Sequence, residues 1–179
     1  MPWWGYVIIA GVIFVCVTLI LIWIIVASNT IVILRKKVDR NFPLMNTKIK
    51  EYVIYTEKLL DLYKKKVKKE TRAYEHFKKS VEELKETEGI FARETKTFEV
   101  AEKFKSFVKS VKKEKTLDDN RKFNEVLENI EKNQNEIVAL AQKYNLAAQK
   151  YNETIHHFPT RMIAERFKFY DVNYFQEKQ

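Results

Sequence analysis

The sequence predicts an all-α protein: an N-terminal transmembrane helix, then an antiparallel up-and-down four-helix bundle with long, coiled-coil-like helices. Three observations predict it. The first 34 residues carry no charged side chain and hold a nearly continuous apolar run from Val7 to Val26. Beyond that run the only glycine is Gly89 and the only prolines are Pro43 and Pro159, too few turn formers for a β-rich or α/β domain. Apolar residues then recur seven apart over long stretches, the spacing of helix seams.

The anchor comes first. About 20 apolar residues span a hydrocarbon core as a helix, so residues 1–29 read as a transmembrane anchor, with about 6–27 in the membrane. Arg35, Lys36, Lys37 and Arg40 follow directly. Such a flank stays on the cytoplasmic side, which predicts a single-pass protein of the cell (plasma or inner) membrane, N-terminus outside and C-terminal domain cytoplasmic. Trp3, Trp4 and Tyr6 suit the outer interface, where amphipathic rings settle among headgroups. Val26-Ala27-Ser28 could serve a signal peptidase, but the preceding residues lack Lys and Arg and the run is long for a signal, so a retained anchor is expected. Cys16, the single cysteine, excludes an intrachain disulfide, and the bulky Ile13-Phe14-Val15 before it argue against lipid attachment.

The bundle should occupy residues 30–158. Its first helix, about 30–51, carries Ile31, Val38, Met45 and Tyr52 at sevens, with Leu34, Phe42 and Ile49 beside them. Pro43 is expected to kink it. The second, about 56–88, carries Leu60, Val67, Tyr74 and Val81, with Tyr63, Phe77 and Leu84 complementary. Thr56 is its expected N-cap and Gly89 its stop. The third, about 91–113, places Phe91, Phe98, Ala101, Phe104, Val108 and Val111 at helical spacing. The fourth, about 118–157, has the clearest seam: Phe123, Ile130, Ile137, Tyr144, Tyr151 and Phe158. Asp118, Asp119 and Asn120 offer capping and negative charge at its start, His156 and His157 suit its end, and Pro159 stops it. Residues 159–179 read as a short helix and an aromatic and basic tail. The run Arg161, Met162, Ile163, Arg166, Phe167, Phe169, Tyr170, Tyr174 and Phe175 either lies with its aromatic and basic residues on headgroups or caps the open end of the bundle.

These residues carry a family likeness. Tyr144-Asn145, Tyr151-Asn152, Phe158-Pro159 and Ile163-Ala164 resemble the C-terminal signature of the LemA family. Asn29, Val32, Leu34-Arg35, Val38-Asp39 and Phe42 match its first bundle helix, and Leu117, Asn120 and Phe123 its third connection. The likeness covers nearly the whole chain and departs in the middle. Glu57 stands where the family commonly has Pro, and Glu114-Lys115 replace a Tyr-Pro. The resemblance implies a membrane-anchored antiparallel helical bundle with a short external N-terminus and a cytoplasmic domain; it implies no reaction.

Chemistry is sparse. One glycine in the domain excludes phosphate-cradling and dinucleotide loops, and the domain has no cysteine for nucleophile or zinc. His156 and His157 point about 100° apart on a helix, unlike an i, i+4 metal pair. Glu153-Thr154-Ile155-His156 has the Glu-x-x-His spacing of di-iron bundles, which need two such motifs. No catalytic, cofactor or metal residue is therefore assigned, and no cofactor is expected. The net charge is +9, but Lys64-Lys65-Lys66 and Lys68-Lys69 alternate with core positions and read as a solvated helix face, so no nucleic acid is expected. Arg35, Lys36, Lys37 and Arg40 can each draw on the order of 1 kcal/mol from anionic headgroups.

The strongest structural or interaction candidates are Tyr144, Asn145, Tyr151 and Asn152, with Phe158 and Pro159. Both tyrosine rings should be buried and their hydroxyls partnered, while the asparagines should bridge to a neighbouring helix. The expected role is an interaction or scaffolding module whose partners are the lipid bilayer and a protein, with self-association open. The rival is a metal-binding or enzymatic bundle using buried Tyr, Glu and His; a weaker alternative is membrane-surface remodelling.

Overall fold

The computed structural model describes residues 3–67, 71–112 and 121–175. Among them are five helices and no strand. Helix α1 runs from Trp3 to Lys66, 64 residues, without a break at Pro43 or at the expected end near residue 51. The anchor, the first bundle helix and the start of the expected second are thus one helix. The row of sevens explains this: Ile31, Val38, Met45, Tyr52 and Leu59 are all buried, so one apolar stripe holds the helix past residue 51. Thr56 is no N-cap. It is fully buried within α1 and its hydroxyl donates to the Val53 carbonyl at 2.8 Å.

The second seam is split. Lys64, Lys65 and Lys66 close α1, where cations complement the helix dipole, and α2 starts afresh at Arg72 and ends at Glu86. Thr71 is the true cap, accepting from the Tyr74 N–H at 3.3 Å. Tyr63 and Tyr74, which a straight helix would hold about 16 Å apart, stack with ring centroids 5.1 Å apart. Lys68, Lys69 and Glu70 lie outside the described residues. Gly89 does not stop α2 but precedes α3 (Ile90–Val111), at φ 82°, a conformation that favours glycine. Helix α4 spans Arg121–His156; Leu117 and the expected cap Asp118, Asp119, Asn120 lie outside the described residues. Helix α5 spans Thr160–Phe167 and ends on Lys168 in the left-handed region, φ 56°.

By contacts the chain forms two units, Met1–Asp39 with Leu146–Asn173, and Arg40–Asn145 with Tyr174–Gln179. In the first unit, α1 contains an 18-residue window of mean hydropathy 3.2 with nothing buried, long and apolar enough to cross a membrane. Burial begins at Ala27 and Ile31 and continues through Val38, Ala148, Tyr151, Ile155, Ile163 and Ala164.

In the second unit an aromatic cluster joins three helices. Phe77 of α2 stacks on Phe107 of α3 at 5.2 Å and tilts against Phe104 at 5.8 Å. Tyr63 meets Phe107 edge-on at 5.1 Å, and such pairs add about 0.5–1.5 kcal/mol each beyond area burial. Phe107, fully buried, was not in the predicted α3 row. A charged network joins α1 to α4. Lys48 reaches Glu51 at 2.7 Å and Glu136 at 2.8 Å, and Asn133 donates to Glu51 at 3.1 Å. The Lys48 hydrogen bonds hold its pKa above the lysine range and that of Glu136 below the carboxylate range. Burial alone pushes the Tyr52 hydroxyl up.

Candidate functional site

Residues 168–175 leave α5 without regular structure and lie against α4 through asparagine side chains. An asparagine amide carries a C=O and an N–H₂ in one plane, so it can pair with one backbone residue as an opposed strand residue would. Helix α4 supplies two such amides, seven residues apart.

In the second unit, Asn145 Oδ1 accepts from the Phe175 N–H at 2.8 Å and its Nδ2 donates to the Phe175 carbonyl at 3.0 Å. Both bonds are buried, so neither competes with water. The Phe175 ring enters a cage of Phe42, Phe91 and Tyr144, with centroids 6.3, 4.8 and 4.5 Å away. Those three rings also touch one another. Helix α1 supplies Phe42, α3 Phe91 and α4 Tyr144, so the cage exists only where three helices converge. The pocket therefore reads an extended backbone through Asn145 and an aromatic side chain through the cage.

In the first unit the pairing recurs. Asn152 accepts from the Val172 N–H at 3.0 Å and donates to the Val172 carbonyl at 2.9 Å. Tyr151 donates its hydroxyl to the Tyr170 carbonyl at 3.1 Å, and its ring receives the Arg35 guanidinium 5.6 Å from the centroid. His156 meets Asp171 at 2.8 Å.

The structure thus corrects two expectations. Asn145 and Asn152 were expected to bridge to a neighbouring helix; their amides instead pair with the backbone of Phe175 and Val172 in the segment after α5. Phe158 leaves the core: α4 ends at His156, so the seam stops before it and its ring is 81% exposed. Pro159 forms a turn with Phe158 ahead of α5. In the tail region Ile163, Ala164 and Phe175 are buried, whereas Phe167, Tyr170 and Tyr174 are exposed. Trp3 and Trp4 are exposed, as are Lys36, Lys37 and Arg40, while Arg35 is half-buried against Tyr151. Among the described residues no three His, Cys, Asp or Glu side chains form a metal-binding group.

Sequence reasoning missed the tail-side partners Phe175, Val172 and Asp171, and the role of Phe91. The available signal was the repeat of Tyr-Asn seven apart, with both polar groups near a buried seam.

A protein-family model described as LemA family matches residues 44–179. No curated protein matches the chain.

Proposed function

The chain belongs to the LemA family, and we propose that it is a single-pass membrane protein whose antiparallel helical bundle acts as a cytoplasmic interaction or scaffolding module. Several contacts support the antiparallel reading. Along α1 and α4, Phe42 meets Tyr144, Lys48 meets Glu136 and Glu51 meets Asn133, so numbers rise on one helix as they fall on the other. Tyr63 with Tyr74 and Glu57 with Lys85 give the same sense for α1 and α2. Phe77 with Phe104 and Glu83 with Lys96 do so for α2 and α3. The uncharged start and its basic flank support the anchor and its orientation.

One observation carries the interaction reading: Asn145 and its cage hold an extended aromatic segment through backbone bonds and one ring, a mode that partner segments of varied sequence can satisfy. The chain's own Phe175 fills it, so ligand and tail compete. The test uses the full chain in nanodiscs and a fluorescent synthetic peptide matching residues 170–179. Phe175→Ala should bind the peptide more tightly than wild type, and adding Asn145→Ala should abolish that binding. Absence of binding to Phe175→Ala would sink the proposal.

A further inference from the structure

We infer that the turn between α4 and α5 is a lipid-contacting tip, with Phe158 and Met162 seated in the membrane interface beside the anchor. This rests on the membrane reading above.

Three observations converge within the first unit. Phe158 falls on the seam row by spacing, yet α4 ends two residues earlier and the ring has the highest exposure of any large apolar side chain described. Met162, one helical turn further on, is 63% exposed. Its direction is set by the helix: Ile163 and Ala164 are buried, which turns Met162 to the opposite side of α5. Single exposed apolar residues are ordinary, but here two lie four residues apart in sequence, one in the turn and one in the first turn of α5.

Their level along α1 comes from register. Arg35 of α1 meets Tyr151 of α4. Stepping one turn in opposite senses reaches Ile31 and Ile155, both buried. One more turn reaches Ala27 and the Phe158–Pro159 corner. Ala27 is only 4% exposed, while Val26 and Ile25 are 58% and 60% exposed. Since this unit otherwise contains only Leu146–Asn173, Ala27 is covered from within that stretch, and the register brings the Phe158–Pro159 corner to its level. The bare apolar window of α1 therefore begins where the corner ends, and Phe158 and Met162 lie at the edge of the hydrocarbon layer. Aromatic and amphipathic side chains partition to that depth.

Charge agrees with an anionic surface. Arg161 and Arg166 share the exposed side of α5 with Met162; Glu165 also faces there, paired with Arg161 at 2.7 Å, so that side is net positive by one charge. Arg35, Lys36 and Lys37 stand on α1 of the same unit.

The test uses the full chain with Cys16→Ser, reconstituted in vesicles of equal parts phosphatidylcholine and phosphatidylglycerol. An environment-sensitive fluorophore is attached at Met162→Cys, or at Lys132→Cys as a solvent control, and quenched by lipids doxyl-labelled near the headgroup. Severalfold stronger quenching at 162 than at 132 is expected, and Phe158→Asp should reduce it towards the control. All three tryptophans, Trp3, Trp4 and Trp23, lie in the anchor, so their quenching reports insertion independently. Quenched tryptophans with a water-like fluorophore at 162, or no response to Phe158→Asp, would overturn the tip alone. Unquenched tryptophans would overturn the anchor reading as well.

Discussion

Asn145→Ala should release Phe175 without unfolding the helices around it. The wild-type side chain makes two buried bonds to one residue, at 2.8 and 3.0 Å. Each contributes about 1 kcal/mol net, and an orphaned buried donor or acceptor costs about 1–3 kcal/mol. The segment can relieve part of that cost by opening to water, so the local loss should be about 2–4 kcal/mol. At 1.4 kcal/mol per tenfold, protection of the Phe175 amide against hydrogen exchange should fall between about thirtyfold and several hundredfold. The assay is amide exchange on the full-length protein in nanodiscs. The Val172 amide, bonded to Asn152, is the internal reference and should change much less. Asn145→Asp keeps the acceptor and loses the donor, so it should fall between. Unchanged protection at Phe175 would refute the clamp, and equal loss at Val172 would refute two separately acting clamps.

Three further outcomes follow from the described contacts. Gly89→Ala meets no atom within 4 Å but must hold φ 82°, so it should cost about 1–2 kcal/mol, read as a lower denaturation midpoint at constant slope. Phe77→Ala, at a fully buried position touching Phe104 and Phe107, should cost about 3–5 kcal/mol, measured by urea denaturation in detergent. Lys48→Met should change the pH profile of stability. The lowered Glu136 stabilises above the ordinary carboxylate range and loses this as pH falls through its folded value; the raised Lys48 stabilises below the ordinary lysine range and loses this as pH rises through its own. The gap between wild type and variant should be flat from about pH 6 to 9 and shrink on acidification below about pH 4.

The fold class was legible because its signals are additive along the chain. Uncharged residues before Arg35, scarce glycine and seven-residue rows all select helices. Boundaries were less legible where two rules competed. Thr56 suggested a cap, but Leu59 continues the row of Ile31, Val38, Met45 and Tyr52, and burial of that row decided the matter. The break after Lys66 left no glycine or proline as a sign; the Thr71 cap and the Tyr63–Tyr74 stack supply it, and the second requires the folded chain. The site was half legible. Periodicity marks Tyr144 and Tyr151 as buried and the adjacent asparagines as polar groups needing partners. It cannot show that the partners are backbone groups of Val172 and Phe175, because an extended segment leaves no periodic trace.

Leu60, Val67, Tyr74 and Val81 keep the same seven-residue phase from α1 into α2, so a straightened chain would still carry a continuous apolar stripe. The heptad pattern therefore does not distinguish a hairpin within one molecule from a long helix that lends α2 to a second copy, the geometry of domain swapping. The choice falls to local contacts: the Thr71 cap, its 3.5 Å approach to the Tyr63 hydroxyl, and the Tyr63–Tyr74 stack. Changes at Thr71 should therefore register as a concentration-dependent mass in solution before they register as lost helix.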